Sequence, residues 1–137
     1  MSFDPYIHFQ GNCRAAMTAY QAIFGGQLDL MPYSAAPGAA AGAAEAERIL
    51  HGTLTLPDGR CLMASDFPPG MAGDPQQAVS ISHGAPSVER AREVFDRLAE
   101  EGGAVVAGFG PTFFSDGFGM VKDRFGTHWI ITGPLRA

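Results

Sequence analysis

The second half of this chain loosely repeats the first. Asn12–Ala16 leads to an aromatic residue and then to the pair Gly25-Gly26, and Ser87–Ala91 leads in the same way to Gly102-Gly103. A repeated unit of this length indicates two copies of one supersecondary motif packed around a shared core. Paired copies commonly leave a cleft between them, which suits a small ligand. The repeat therefore predicts a two-unit fold with a central cleft.

Each copy is predicted to contain a strand, a helix and three further strands. In the first copy these are Tyr6–Phe9, a helix capped by Asn12 and stopped by Gly25-Gly26, Gln27–Met31, Arg48–Leu56 and Arg60–Ser65. The second copy has a strand at Ala78–His83, a helix at Val88–Glu100 capped by Ser87, and strand signals near Val105, Met120 and Trp129.

A second correspondence, Leu56–Met63 with Asp123–Ile130, closes each copy. We expect one domain over residues 1–137, with units at about 3–66 and 76–134. The segment 32–46 is almost entirely Ala, Gly, Pro and Ser and predicts a loop, with a marginal helical turn at 40–47.

Composition excludes several classes of protein. The net charge of −5, with Lys122 as the only lysine, argues against a nucleic-acid surface. No apolar run reaches the roughly 20 residues that a membrane helix needs, and nothing at the start suggests export. Cys13 and Cys61 lack metal-site spacing and fit reduced thiols. We expect a cytoplasmic protein with neither nucleic-acid nor membrane partners.

Most of the chain carries a family resemblance in the same order. The matching segments are Pro5–Phe9, Gly11–Cys13, Tyr20, Phe24–Gly26, Ile49–Gly52, Leu62–Asp66, Phe118–Val121, Asp123–Gly126 and Trp129–Ile131. These segments resemble the PhnB-like branch of the vicinal oxygen chelate superfamily, which includes glyoxalases, bleomycin-resistance proteins and extradiol dioxygenases. The resemblance implies an α+β fold of two βαβββ units, forming a U-shaped mixed sheet around a cleft with helices outside. Together with the exposed strand edges of such units, it also implies a homodimer.

The resemblance also locates the usual metal ligands of the superfamily. Its metal enzymes take one ligand from the first strand and one from the last strand of each unit, and the metal then acts as a Lewis acid. The matching positions are Pro5, Met63, Ser80 and Ile130, none of which is a suitable ligand. We therefore expect no usual metal site and no cofactor.

Two histidines are candidates for chemistry. His51, in the third strand of the first copy, could act as a general base or metal ligand if it faces the cleft, or it could be hydrogen-bonded to a neighbour. His128 shares the face of Ile130 by the period of two along a strand. The pair could hold a metal in a non-standard way, with Asp66 or Glu47 as the nearby carboxylate.

Structural roles are the preferred interpretation for the other two histidines and for the two cysteines. His8 and His83 have the opposite parity from the first-strand metal positions, so we expect them to face the helices or a strand end. Cys61 is in phase with Met63 and could line the cleft as an inert thiol. Cys13, at a helix start, could have a lowered pKa, but packing is the preferred interpretation.

A mostly apolar cleft is predicted to bind a small, partly hydrophobic molecule, although the same side chains could form ordinary core. The leading hypothesis is therefore a binding protein without the usual metal. The alternatives are a metal-dependent lyase, isomerase or dioxygenase that uses His51 and His128 as catalytic residues, and a non-catalytic structural dimer. The predicted cleft residues are Ile7, His51, Cys61, Met63, Ser82, Phe113, Phe114, His128 and Ile130.

Overall fold

The computed structural model describes residues 2–37 and 47–137 and contains two compact units, Met1–Gln76 and Gln77–Ala137. The predicted helical turn at 40–47 lies outside the described residues except for its last position. No helix in the described part of the chain is long and apolar enough to cross a membrane. The elements of the first unit are β1 (Tyr6–Phe9), α1 (Cys13–Phe24), β2 (Gln27–Pro32), a short 3-10 helix (Tyr33–Ala35), β3 (Ile49–Thr55) and β4 (Cys61–Asp66).

The second unit repeats this order without the 3-10 helix. Its elements are β5 (Ser80–Gly84), α2 (Val88–Ala99), β6 (Ala104–Gly110), β7 (Phe118–Lys122) and β8 (His128–Thr132). Each unit forms a four-stranded mixed sheet, in the orders β1-β4-β3-β2 and β5-β8-β7-β6. The first and last strands of each unit pair in parallel, and the other pairs are antiparallel. The prediction of two βαβββ units is confirmed.

One face of each sheet is covered by the helix of its own unit. Helix α1 contacts β2, β3 and β4, and helix α2 contacts β6, β7 and β8. Alternate strand residues, such as Leu54 and Ala64 in the first sheet and Val121 and Ile131 in the second, are buried on that face. The helices contribute an apolar stripe from residues spaced three or four apart. The buried stripes are Cys13, Ala16, Met17, Tyr20 and Ile23 in α1, and Ala91, Val94, Phe95 and Leu98 in α2.

The turn before the last strand has the same form in both units. Gly59 and Gly126 have φ angles of 91° and 95°, which an L side chain rarely adopts. The Gly59 amide donates to the carbonyl of Leu56, and the Gly126 amide donates to that of Asp123. The two turns therefore hold equivalent positions, which makes Met63 in β4 equivalent to Ile130 in β8.

The two helices begin differently. Ser87 accepts a hydrogen bond from the Arg90 amide at 3.1 Å, as predicted for an N-cap. Asn12 occupies the N-cap position of α1, but its side chain makes no capping hydrogen bond. The Asp66 carboxylate, at the end of β4, accepts from the Cys13 amide at 3.0 Å instead. A residue distant in sequence thus caps the first helix.

Candidate functional site

The face of the first sheet opposite α1 carries polar side chains from all four strands. We call it the open face of the first sheet. Its positions follow from the strand register, in which Tyr6 and Thr53 both lie beside Met63, and Met31 lies beside His51. All are exposed or half-buried except one serine. The open face comprises Tyr6, His8, Gln27, Asp29, Met31, His51, Thr53, Thr55, Cys61, Met63 and the buried Ser65.

Three of these side chains form a hydrogen-bonded row. The Tyr6 hydroxyl lies 3.3 Å from His51 Nδ1, and the Thr53 hydroxyl lies 3.0 Å from His51 Nε2. Strand β4 lies between β1 and β3, so the side chains of Tyr6 and His51 meet across it. The rings of Tyr6 and His51 are 5.8 Å apart between centroids. Both ring nitrogens of the imidazole therefore face a hydroxyl group. We call this set the Tyr6–His51–Thr53 row.

His8 lies on the open face beside this row, so the expectation that it faces the helix is wrong. Its ring is 5.0 Å from that of Tyr6 and stacks on Phe67 at 5.3 Å. Its Nδ1 lies 3.5 Å from the hydroxyl of Ser65. His83 does lie on the helix-covered face of its sheet, because it pairs with the buried Ile131. The two histidines are therefore not equivalent.

A one-residue difference between the units explains this. Tyr6 pairs with Met63 and Ser82 pairs with Ile130, so Tyr6 and Ser82 are equivalent. The predicted equivalence of Pro5 with Ser80, obtained by counting back from the helices, matches Ile7 with Ser82 instead. The connection between the equivalent strand positions and the helix spans residues 10–12 in the first unit and 86–87 in the second. Gly11, with a φ of 109°, lies in the longer connection. As a correction to the predicted cleft, Ile7 is buried on the helix-covered face, opposite His51, Cys61 and Met63.

The open face of the second sheet is its face opposite α2. Ser80 pairs with His128, and Ser82 pairs with Ile130. One face of this sheet therefore holds Ser82, His128 and Ile130, all of which are predicted cleft residues. Met120 lies beside Ile130 on β7. The Nδ1 atom of His128 is buried and has no hydrogen-bond partner among the described residues. His51 and His128 lie in different units, so a shared metal remains a prediction.

Phe113 and Phe114 lie in the loop between β6 and β7. Phe113 is 91% exposed, and Phe114 is half-buried. Their rings meet edge to face at 5.2 Å, and Phe114 meets Phe118 in the same way at 5.3 Å. Phe118 lies on the same face of the second sheet as Ile130, because β7 residues of even number share that face. The two aromatic residues therefore adjoin the open face of the second sheet.

The donor set does not fit the metal that the family's enzymes hold. Met63 and Ile130 stand at the last-strand positions, and Ser80 stands at the first-strand position of the second unit. With the corrected register, Asp4 rather than Pro5 is the residue equivalent to Ser80. A single exposed carboxylate with a thioether in the first unit, and a hydroxyl with an aliphatic side chain in the second, is not a donor set that suits a divalent cation. The described residues include no cluster of three or more His, Cys, Asp or Glu side chains that could bind a metal ion.

Asp66 and Cys13 are candidates for chemistry in the sequence, but their contacts in the structure indicate structural roles. Asp66 is 1% exposed, and its carboxylate accepts from the backbone amides of Gly11, Cys13 and Ile49 at 2.8 to 3.0 Å. Burial, followed by the charge of Asp66, raises the pKa of the Cys13 thiol to about 12, against a smaller opposing effect of Arg14. A thiol with so high a pKa is a poor nucleophile.

Cys61 is half-buried on the open face of the first sheet, in phase with Met63 as predicted. Its sulfur lies 3.7 Å from both the Thr55 hydroxyl and the Gly59 carbonyl. Glu47, the other carboxylate suggested for a metal, is exposed just before β3.

Neither Tyr6 nor Thr53 is among the predicted site residues. Tyr6 was placed in a strand without a role, because the count from the helix gave β1 the wrong face. Thr53 could have been found, since it follows His51 by two residues and must share its face. The signal was therefore present for one of the two hydroxyls that flank the imidazole.

Two βαβββ units, each a mixed four-stranded sheet with one helix on one face, define a protein of the glyoxalase fold. The chain matches the family model of the Glyoxalase/Bleomycin resistance protein/Dioxygenase superfamily over residues 2–131, and it belongs to that family.

Individual relatives are similar over nearly the whole chain. Protein YjdN of Escherichia coli K12 is 29% identical over 96% of this chain and 94% of its own length. Protein PA1353 of Pseudomonas aeruginosa is 36% identical, with a TM-score of 0.87 and 98% of each chain covered. A PhnB protein of Bacillus cereus, described as a putative 3-demethylubiquinone-9 3-methyltransferase, is 25% identical, with a TM-score of 0.72 and coverage of 97% and 99%. These likenesses agree with the PhnB-like resemblance of the sequence.

Proposed function

We propose that this protein binds a small, partly apolar molecule against the open face of the first sheet, without the metal site usual in its family. The observation that carries the proposal is the Tyr6–His51–Thr53 row. Tyr6 is 42% exposed, and His51 and Thr53 are half-buried, so a ligand can reach polar groups that already have a fixed geometry. Preorganised polar groups beside apolar surface are typical of small-molecule sites.

Apolar surface is available next to the row. Met63 lies between Tyr6 and Thr53 in the sheet, and Met31, which is 50% exposed, lies beside His51. Methionine side chains adapt their shape to irregular apolar groups. The row would therefore orient the polar end of a ligand while the methionines contact its apolar part.

A thermal-shift screen of small metabolites tests the proposal. A ligand at a hundredfold excess over its Kd adds about 2.7 kcal/mol to the free energy of unfolding of the protein. The Tm of the protein therefore rises clearly. We expect the rise for the unmodified protein and its loss in His51→Ala and Thr53→Ala. Thr55→Ala is the matched control, because Thr55 shares the face but lies outside the row. If no compound raises the Tm, or if Thr55→Ala and Thr53→Ala behave alike, the proposal is wrong.

Catalysis by His51 and His128 is the second candidate function. The observation that favours it is the buried Nδ1 of His128, which has no partner among the described residues. Such a nitrogen is unusual in a purely structural histidine. This candidate requires that His128→Ala and His51→Ala each abolish turnover of a ligand found in the screen, with the Tm nearly unchanged. Binding without turnover would exclude it for that ligand.

We also propose that the protein is a homodimer. Strand β6 is at an edge of its sheet, and its residues Val105 and Val106 are 55% and 56% exposed. An apolar sheet edge is a site for association with a second copy. Sedimentation of Val105→Lys/Val106→Lys should show a monomer, while Val79→Lys, which alters an exposed valine before β5, should not change the mass. A wild-type monomer would overturn this.

We place the protein in the reducing cytoplasm, because Cys13 and Cys61 are both free thiols. Fractionation of cells with an antibody against the protein tests this, and recovery outside the cytoplasmic fraction would contradict it.

A further inference from the structure

The hydrogen-bond capacity of the Tyr6–His51–Thr53 row can be counted atom by atom. A neutral imidazole has one N–H donor and one acceptor nitrogen. If Nδ1 accepts from the Tyr6 hydroxyl, Nε2 donates to Thr53, and the Thr53 hydroxyl proton remains available. In the other tautomer, the Tyr6 proton remains available. With neutral His51, the row therefore presents one hydroxyl proton to a ligand in either arrangement.

Protonation of His51 changes this count. Both ring nitrogens of an imidazolium are donors, so both hydroxyl oxygens accept from the ring. Both hydroxyl groups can then donate their protons in hydrogen bonds to a ligand. The row then presents two donors next to a positive charge. Within the part of the chain that the structure describes, these two hydroxyls have no hydrogen-bond acceptor other than His51. The protonated row is therefore suited to an anionic oxygen group, and charge-assisted hydrogen bonds are the stronger kind.

We propose that the Tyr6–His51–Thr53 row binds the anionic oxygen group of the ligand, a carboxylate or a phosphoryl group, and that binding is linked to protonation of His51. This inference rests on the proposed function and names the ligand class: a small molecule with an apolar part and one anionic oxygen group. The hydroxyls of Tyr6 and Thr53 donate to the anion, and His51 supplies the proton and the charge.

The charged and titratable groups near His51 lie on several neighbouring elements. Strand β4 brings Met63 and Cys61 but no carboxylate to the open face, because Asp66 is bound to backbone amides. On β2, Asp29 lies beside Thr53. The Arg48 guanidinium, before β3, donates to the Phe67 carbonyl. The remaining titratable groups near the row are His8 in β1, Asp4 and Glu47 just before β1 and β3, and Tyr33 after β2, whose pKa is raised by burial and by the neighbouring Tyr6 and Asp66.

Among the described residues of the first sheet, Asp29 is the carboxylate that lies beside the row. It is exposed, and its oxygens lie 3.4 Å from the Gln27 amide nitrogen. A negative charge next to Thr53 opposes an anion close to it. Asp29→Asn removes this repulsion. We expect this variant to bind the anion more tightly than the unmodified protein.

The test uses benzoate as an apolar carboxylate and benzamide as its neutral analogue. Both are titrated into the full chain at pH 5.5 and pH 8, and NMR signals of the His51 ring and the Thr53 methyl group report binding. We expect benzoate to bind at least tenfold more weakly at pH 8, because histidine is the side chain whose charge changes between pH 5 and pH 8. The neutral row offers a single hydroxyl donor and no positive charge. Benzamide should show no such pH dependence.

Variants assign the effect to the row. Tyr6→Phe and Thr53→Val each remove one hydroxyl and should weaken benzoate binding at pH 5.5 severalfold, while Thr55→Val should not. His51→Gln should abolish the pH dependence. Circular dichroism confirms that each variant folds. Inorganic phosphate, titrated in the same way, shows whether the row accepts phosphoryl groups as well as carboxylates.

Benzoate binding that is equal at both pH values, equal to that of benzamide, or undetectable at pH 5.5 overturns the inference. The proposed function fails by a different result, namely that neither neutral nor anionic compounds raise the Tm in the screen. A neutral compound that binds through His51 and Thr53 would keep the proposed function and reject the anion.

Discussion

Asp66 illustrates how one side chain can hold three elements. Its carboxylate accepts from amides before α1, at the start of α1 and at the start of β3. A buried backbone N–H that loses its acceptor destabilises a protein by about 1–3 kcal/mol. Asp66 is poorly placed to bind a metal, because three of the roughly four lone-pair positions of its carboxylate accept from these amides. Its role is therefore structural.

Replacement of Asp66 by alanine should lower the free energy of unfolding by about 3 kcal/mol or more, because three amides lose their acceptor. Asp66→Asn, which keeps one acceptor oxygen, should lower it less. Urea unfolding measures both. Asp58→Ala is the control: this exposed carboxylate pairs with Arg60 at 2.7 Å, and its loss should change stability by less than about 1 kcal/mol. Equal losses at positions 66 and 58 would contradict the assignment.

The two cysteines should differ in reactivity. Burial raises the pKa of the Cys13 thiol to about 12, so iodoacetamide at pH 8.5 should modify Cys61 alone in the folded protein and both residues in urea. Peptide mass spectrometry after labelling checks this. Cys61→Ser should leave the folded protein unlabelled. Rapid labelling of Cys13 without denaturant would show that its surroundings are more open than described.

The same shift predicts a pH dependence of stability. In the unfolded chain the Cys13 thiol loses its proton near the ordinary pKa of 9.0, and in the folded chain near 12. Between these values the folded state binds more protons than the unfolded state, so the free energy of unfolding falls as pH rises. Urea unfolding at pH 9 and pH 10.5 should show this decrease in Cys61→Ser and a smaller one in Cys13→Ala.

At the scale of elements, the two helices start in different ways. Ser87 caps α2 through its own hydroxyl, whereas the side chain of Asn12 makes no capping hydrogen bond to α1. Ser87→Ala should therefore lower the free energy of unfolding by about 1 kcal/mol. Asn12→Ala, the matched change in the other unit, should lower it by no more than a few tenths. A larger effect at Asn12 would mean that its side chain, and not Asp66, caps α1.

Element order and type were predictable from the sequence because the signals are local. Hydrophobic periodicity gave α1 and α2, and Gly59 and Gly126 marked the turns before β4 and β8. The face of β1 was not predictable by counting from the helix. The first unit has one more residue in its strand-to-helix connection. The repeat in the sequence shows neither this extra residue nor the positive φ angle of Gly11. For that reason the predicted faces of Ile7 and His8 are the reverse of those in the structure.

The candidate site was predictable only in part. The period of two along β3 and β4 places His51, Cys61 and Met63 on one face, as the sequence suggested. The contact between Tyr6 and His51 depends on β4 lying between β1 and β3, which is a property of topology. The capping of α1 by Asp66 is likewise a long-range contact. Both features join residues that no local pattern relates.

At the scale of the whole molecule, the donor set predicts weak metal binding. After incubation with zinc, nickel, manganese or iron and dialysis without chelator, elemental analysis should find well under one metal ion per chain. The reason is that the usual ligand positions hold Met63, Ser80 and Ile130. One metal ion per chain, lost in both His51→Ala and His128→Ala, would contradict this and support the second candidate function.

The long-range cap of α1 has a consequence for biosynthesis. The Asp66 carboxylate follows the Cys13 amide that it binds by 53 residues, whereas Ser87 precedes the Arg90 amide by three. During translation, α2 carries its cap as it leaves the ribosome, but α1 must wait until β4 has been made. We expect ribosome-bound chains that end before Asp66 to exchange the Cys13 amide hydrogen rapidly, and longer chains with β4 exposed to protect it. The amino-terminal helix would then be completed late, although it is synthesised first.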